Sequence, residues 1–308
     1  MIGIRLAAIL GRAAATLLLA VTIAFLLTRI SGDPARAMLG DNATADQLST
    51  MHAQLGLDRP LVAQYLSFIG DLARGDLGTS LRYGEANLDL IVDRSTYSVQ
   101  LASVAIVIAV LLGVPLGVIA ALREGGLVDR VASAAALLGQ SIPLFWLGQM
   151  LVLLFAVNWG LLPAGQATGV SSLVLPAITL AMLPLAHIAR LTRSGMSEVM
   201  RSAFVMAARA RGLPSWRIVL VHALRSAALP VVTVVGLQLG VLISSAVAVE
   251  LVFAWPGLGS LATEAVERRD FPLVQAVVVA GAAALVLINL TVDILYTVID
   301  PRVRDGRS

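Results

Sequence analysis

Between residues 131 and 189 the chain contains no Asp, Glu, Lys or Arg. As one helix rising 1.5 Å per residue this run would be about 88 Å long, against roughly 30 Å for the hydrocarbon core of a bilayer. The run must therefore turn. Trp159-Gly160, Pro163, Gly165, Gly169 and Pro176 supply turn and helix-start residues, with a tryptophan suited to a membrane interface. The pattern predicts two crossings here, 131–157 and 173–189.

Four other stretches lack charge, 13–28, 95–122, 226–249 and 271–292, and the crossing that begins in the last is expected to extend to 299. The first is short, but Arg12 and Arg29 flank it and their stems can snorkel to the two interfaces. Its basic start resembles a signal peptide, yet Ile30-Ser31-Gly32-Asp33-Pro34 follows in place of a small-residue cleavage site, so it reads as a retained transmembrane helix. The total is six. Composition agrees, with 58% hydrophobic residues, only 13% charged and a mean hydropathy of +0.89, where a soluble domain carries roughly a quarter charged residues. A soluble enzyme is excluded. The absence of cysteine also removes disulfide scaffolds, thiol catalysis and cysteine zinc sites, and only His52, His187 and His222 remain as histidines.

All 22 basic residues are arginine, and their placement sets the orientation. With a cytoplasmic N-terminus the inside segments hold 14 arginines and the outside 8, most of the latter in one long loop where the rule is weak. Both termini are expected in the cytoplasm. The net charge of only +3 on so apolar a chain gives no reason to expect nucleic acid as a partner.

Two excursions leave the membrane. Residues 31–96 carry nine acids and five arginines and form an extracytoplasmic segment. Thr44 with Gln47 has capping-box spacing, and a second helix starts at Pro60 with Leu61, Tyr65, Phe68 and Leu72 on one face. So short a segment makes only a small core and is expected to pack on the membrane domain or a partner. Residues 190–225 hold seven arginines and one acid, Glu198. In lipid those arginines would cost about 20 kcal/mol at about 3 kcal/mol each, so this loop belongs in the cytoplasm. Within it a helix over 203–210 is stopped by Gly212 and Pro214, and Ser215-Trp216-Arg217 begins another.

The run Met206-Ala207-Ala208-Arg209-Ala210-Arg211-Gly212-Leu213, with His222 and Pro230 downstream, resembles the cytoplasmic signature E-A-A-x-x-x-G of binding-protein-dependent ABC importer permeases. Met206 stands at the Glu position, as in the peptide-importer branch, and no role of that carboxylate carries over. Gly32-Asp33-Pro34, Leu55-Gly56-Leu57-Asp58-Arg59-Pro60, Gly75-Asp76-Leu77-Gly78, Ser141-Ile142-Pro143, Trp255-Pro256-Gly257-Leu258-Gly259, Arg269-Asp270-Phe271-Pro272 and Asp300-Pro301-Arg302 extend the resemblance to the dipeptide and oligopeptide permeases nearly end to end.

The resemblance implies an all-α integral membrane protein of six transmembrane helices, divided into a first helix within 1–30, an extracytoplasmic segment 31–96, a five-helix permease core 97–300 and a cytoplasmic tail 301–308. It further implies half of a translocation pathway in the bacterial plasma membrane, with a second homologous permease, two cytoplasmic ATPase subunits or one fused pair, and an extracytoplasmic solute-binding protein. ATP and Mg would be held by the ATPases, and this chain would carry no cofactor or metal of its own. Met206 to Leu213 would be the coupling helix that docks on an ATPase. Small Ala207 and Ala208 allow close approach, Gly212 a tight bend, and Arg209 and Arg211 can pair with acids.

Trp255, Pro256, Gly257, Leu258 and Gly259 are expected to face the binding protein. Glu250 is expected at the outer mouth, where it can meet that protein, close a gate, or serve a local helix end. Asn289, Asp293, Tyr296 and Asp300 share one face of the sixth crossing, as a pathway lining or as a packing and capping stripe. Gln238 is a further pathway candidate or interhelical glue. No G-x-x-x-x-G-K-[ST] loop, H-E-x-x-H or G-x-S-x-G occurs, so the chain has neither a phosphate-cradling loop nor a recognisable catalytic motif. The alternatives are the same architecture carrying nickel chelate, glutathione or haem, a secondary transporter, and an intramembrane enzyme. The last two lack internal repeats and nucleophile–base spacing respectively.

Overall fold

A computed structural model describes residues 2–30, 32–40, 42–54 and 56–299, without the side chains of 2–8, 30, 37, 38, 54, 228–230, 233 and 293–299. Among these residues regular structure is helical apart from one isolated bridge between Thr79 and Ala86. The chain divides into two compact units, residues 1–97 with 256–287 and residues 98–255 with 288–308.

The first unit begins with α1 (Ile2–Ile30), whose apolar part Ile9–Arg29 is long enough to cross a membrane. Three short helices follow: α2 (Pro34–Leu39), α3 (Ala45–Gln54) and α4 (Leu61–Ala73). Asp33 caps α2 by accepting from the Ala35 amide, and His52 of α3 reaches the same carboxylate at 2.9 Å. The capping box before α3 forms in both directions, Thr44 N to Gln47 Oε1 and Gln47 N to Thr44 Oγ1. Helix α4 lies on α1: Phe68, Ile69 and Leu72 pack against Val21 and Ala24, and the Phe25 ring meets the edge of Tyr65 at 5.3 Å. Leu61 departs from the expected face and is exposed.

The rest of this unit comprises the start of α5 (Asn87–Leu122), α12 (Leu258–Glu267) and the first part of α13 (Phe271–Ile299). Ile91, Leu261, Ala265, Leu273, Ala276 and Val277 bury one another. The 31–96 segment thus packs on helices of its own chain.

In the second unit α5 continues and α6 (Leu127–Ser141), α7 (Leu144–Leu151) and a π-helical turn Val152–Asn158 follow. Next come α8 (Val170–Met200), α9 (Ala203–Ala210), α10 (Ser215–Arg217), a second π-helical stretch Ile218–Ala223 and α11 (Leu224–Val252). Helices α5 and α8 cross at bare backbone, since a Cβ on Gly117 would stand 2.5 Å from the Ala189 carbonyl oxygen and one on Gly113 3.0 Å from that of Leu185.

Among the described residues, five helices are long and apolar enough to cross a membrane. The sixth expected crossing, 131–157, is not a straight helix: Leu127–Ser141 and Leu144–Asn158 meet at 105° around Ile142 and Pro143. Proline fixes φ and disfavours helical geometry in the residue before it, and Ile142 accordingly leaves the helix at φ −81, ψ 124. Two other expectations shift. Pro176 lies inside α8 instead of starting a helix, and α8 continues past residue 189 to Met200.

Candidate functional site

The most distinctive surface of the second unit is the segment between α8 and α11. Helix α8 ends at Arg201, whose guanidinium donates to Glu124 at 2.6 Å, and Ser202 switches to extended backbone before α9. Helix α9 is anchored through Val205, which is fully buried. Its remaining residues face outward: Phe204 and Met206 are exposed by 47% and 58%, beside exposed Ala207, Arg209 and Ala210, while Ala208 is half-buried.

The exit from α9 is a Schellman turn. The Gly212 amide donates to the Arg209 carbonyl at 2.9 Å and the Leu213 amide to that of Ala208 at 3.2 Å. Gly212 has φ +77, and a Cβ there would meet nothing within 4 Å. The demand for glycine is therefore conformational, not steric. Pro214 then caps α10, and Ile218, Val219 and Ala223 are buried, the last two with Ala121, Met196 and Ala227. The segment is thus a rigid elbow that holds an apolar knob, Phe204 and Met206, among arginines. No acid lies within 4.0 Å of Arg209, Arg211 or Arg217 among the described residues. Exposed Trp216 and Leu220 extend the apolar surface. Sequence reading missed Phe204 and Trp216 as surface aromatics, although their charged, alanine-rich setting was a usable signal.

A second ion pair braces the same end of this unit. Arg193 on α8 grips the buried carboxylate of Asp129 with Nε on Oδ1 and with Nη2 on Oδ2 at 2.8 Å, and the Gly125 amide donates to Oδ2 at 2.9 Å.

Other expected site residues are placed differently. Trp255, Gly257 and Gly259 are buried, and Pro256 and Leu258 are half-buried. The cause is local. Ala254 adopts φ +47 and the Trp255 amide returns to the Glu250 carbonyl at 2.8 Å, a tight reversal that turns the indole inward. Glu250 is likewise buried and accepts from Ser98 at 2.6 Å. Nearby, a Cβ on Gly165 would fall 2.0 Å from the Phe253 carbonyl oxygen, and the Gln166 amide donates to that oxygen at 2.8 Å.

Gln238 is buried and joins α11 to α8 through a hydrogen bond between its amide nitrogen and His187 Nδ1. Its amide oxygen has no partner among the described residues. Asn289 is exposed on α13. Asp293 and Tyr296 lie on α13, but their side chains, and the whole of Asp300, fall outside the described residues. No group of three metal-capable side chains occurs among the described residues.

Residues 113–305 match the family described as binding-protein-dependent transport system inner membrane component, and residues 1–102 match the corresponding N-terminal family. The chain belongs to this family. Such an inner membrane component is a multi-pass membrane protein, as the apolar helices require. It is 39% identical over 307 residues to the dipeptide transport system permease protein DppB of Escherichia coli (strain K12), covering 89% of this chain and 91% of that one. With the di/tripeptide transport system permease protein DppB of Pseudomonas aeruginosa (strain UCBPP-PA14) the identity is 40% over 314 residues, at 92% and 93% coverage. The glutathione transport system permease protein GsiC of Salmonella choleraesuis (strain SC-B67) is 38% identical over 290 residues, at 94% and 95% coverage. In fold this inner membrane component is similar to the solved inward-facing MetNI methionine ABC transporter, with TM-score 0.59 at 20% identity over 68% of this chain and 96% of that one.

Proposed function

We propose that the chain is the permease subunit of an ABC importer for dipeptides or oligopeptides and forms half of the translocation pathway beside a second, homologous permease. The observation that carries the reading is the α9 elbow: a short helix, closed by a glycine turn, that offers exposed Phe204 and Met206 near Arg209 and Arg211, which have no acid within 4.0 Å among the described residues. It is the shape of a knob for a groove with an acidic rim, at the place where the family signature falls. Near-complete identity coverage to dipeptide permeases supports the cargo class. The similarity to a glutathione permease favours a second reading of the same kind, a small peptide thiol as cargo.

In this reading both termini and the α9 elbow are cytoplasmic, following the arginine distribution, and residues 31–96 are extracytoplasmic. The ATPases bind ATP and Mg and a solute-binding protein delivers cargo from outside. ATP-driven closure of the ATPases moves the two elbows and switches the cavity between outward-open and inward-open states. Gly212 matters because proline, fixed near φ −65, cannot adopt φ +77 and removes the amide that bonds Arg209.

The test is gentle-detergent purification of the tagged chain from its native membrane, followed by mass spectrometry of what co-purifies. Wild type should bring down ATPase subunits and a second permease, and Gly212→Pro should lose the ATPases while still inserting. A chain that purifies alone and moves solute in liposomes without ATP would overturn the proposal.

A further inference from the structure

A cleft of about 650 Å³ opens between α5, α6 and α8, with Leu116, Leu127, Val131, Leu137, Met182 and Leu185 among its walls. Leu127, Val131 and Leu137 are each more than half exposed, so the chain itself leaves this apolar surface uncovered. The polar end differs in character. Arg190 and Arg193 line it, and Arg193 is already committed to Asp129. Arg190 is not: its single hydrogen bond is a long one, 3.4 Å to Gln140 Oε1, and no acid lies within 4.0 Å of it among the described residues. Arg130, between the lining residues Val128 and Val131 in sequence, has no acid within that distance either.

We infer that this cleft is a binding site for an anionic phospholipid, with an acyl chain along the apolar walls and the phosphate held at the Arg190 end. The pattern of donors fits this amphiphile. Arg190 is an exposed guanidinium with no acid of its own among the described residues, set at the end of apolar walls, and that pairing suits an anionic head that continues into a long apolar tail. A partner's transmembrane helix could fill the walls, but it would have to bring an acid to the same level. Basic pockets between membrane helices on the cytoplasmic side are the usual seat of anionic headgroups. The assignment of Arg190 to that side rests on the orientation given under the proposed function.

The test uses the complex purified in mild detergent, delipidated and titrated with phosphatidylglycerol or phosphatidylcholine of identical chains, bound lipid being counted by native mass spectrometry. Wild type should prefer phosphatidylglycerol by about fivefold for each arginine engaged. Arg190→Gln should remove that preference while retaining weak binding of both lipids. Ala136→Trp, which fills the cleft, should lose both. Equal binding of the two lipids to wild type, or unchanged binding by Ala136→Trp, would overturn the site. So would capture of the second permease, in place of lipid, by a photoreactive residue at Ala132. Orientation is read separately from a cysteine replacing Ser308, since the chain has no cysteine of its own. Labelling of that cysteine from outside intact cells would overturn the sidedness while leaving the lipid counts in detergent to stand or fall on their own.

Discussion

Asp270 is almost completely buried in the first unit and accepts four hydrogen bonds. Ser80 Oγ at 2.5 Å and the Arg82 amide at 3.2 Å share Oδ2, and the amides of Leu81 at 3.2 Å and Leu273 at 3.3 Å share Oδ1. One carboxylate thus caps the start of α13 and pins the 80–83 turn from far away in sequence. Asp270→Asn keeps the volume but turns one oxygen into a donor that faces two other donors. Two hydrogen bonds to a charged acceptor, at about 1.5–3 kcal/mol each, give an expected loss of about 3–6 kcal/mol. Because a factor of ten corresponds to about 1.4 kcal/mol, the turn should open about 10² to 10⁴ times more often. Trypsin reports this opening directly, since Arg82 lies in the turn and cleavage of a fast-opening segment tracks the open population. Cleavage after Arg74, which is exposed outside the turn, serves as the internal standard. Cleavage after Arg82 no faster in Asp270→Asn than in wild type would refute the claim that this carboxylate holds the turn.

Gly117→Ala should lower the denaturation midpoint by the equivalent of about 1–3 kcal/mol, because its Cβ would press on backbone of α8, whereas Gly281→Ala, which meets nothing within 4 Å, should leave the midpoint nearly unchanged. Ala208→Trp, at a half-buried position on α9, should abolish substrate-stimulated ATP hydrolysis in reconstituted complex while membrane insertion stays normal; unchanged stimulation would contradict docking through α9. At Asp33 burial raises the carboxyl pKa, but hydrogen bonds from His52 and the Ala35 amide outweigh it and hold the group below its usual value. The cap is therefore complete above the unfolded carboxyl's pKa and is lost as pH falls through the lower folded value. In His52→Ala that loss should begin at a higher pH, read from the titration of labelled Asp33 by NMR.

Hydropathy located the crossings because lipid imposes a length and a lack of charge that survive any detail of packing. The elbow after α9 was equally legible, since Gly212 and Pro214 act through their own backbone geometry. What escaped was angular or relational. The bend at Ile142 and Pro143 leaves composition untouched. Helix α8 runs on past Arg190 to Met200, and Arg193 within it is received by Asp129 on another helix, a partner that sequence spacing does not display. The burial of Trp255 depends on the reversal at Ala254, a backbone feature at φ +47 that the residue type does not announce. The Arg269-Asp270-Phe271-Pro272 motif was visible, but its partner Ser80 lies far off along the chain.

The bend between α6 and α7 also changes how this crossing answers to the membrane around it. A straight helix meets a thicker or thinner bilayer by tilting as a whole, which shifts both of its ends together. Two arms set at 105° have a joint between them, so a mismatch at one leaflet can be taken up by one arm without displacing the other.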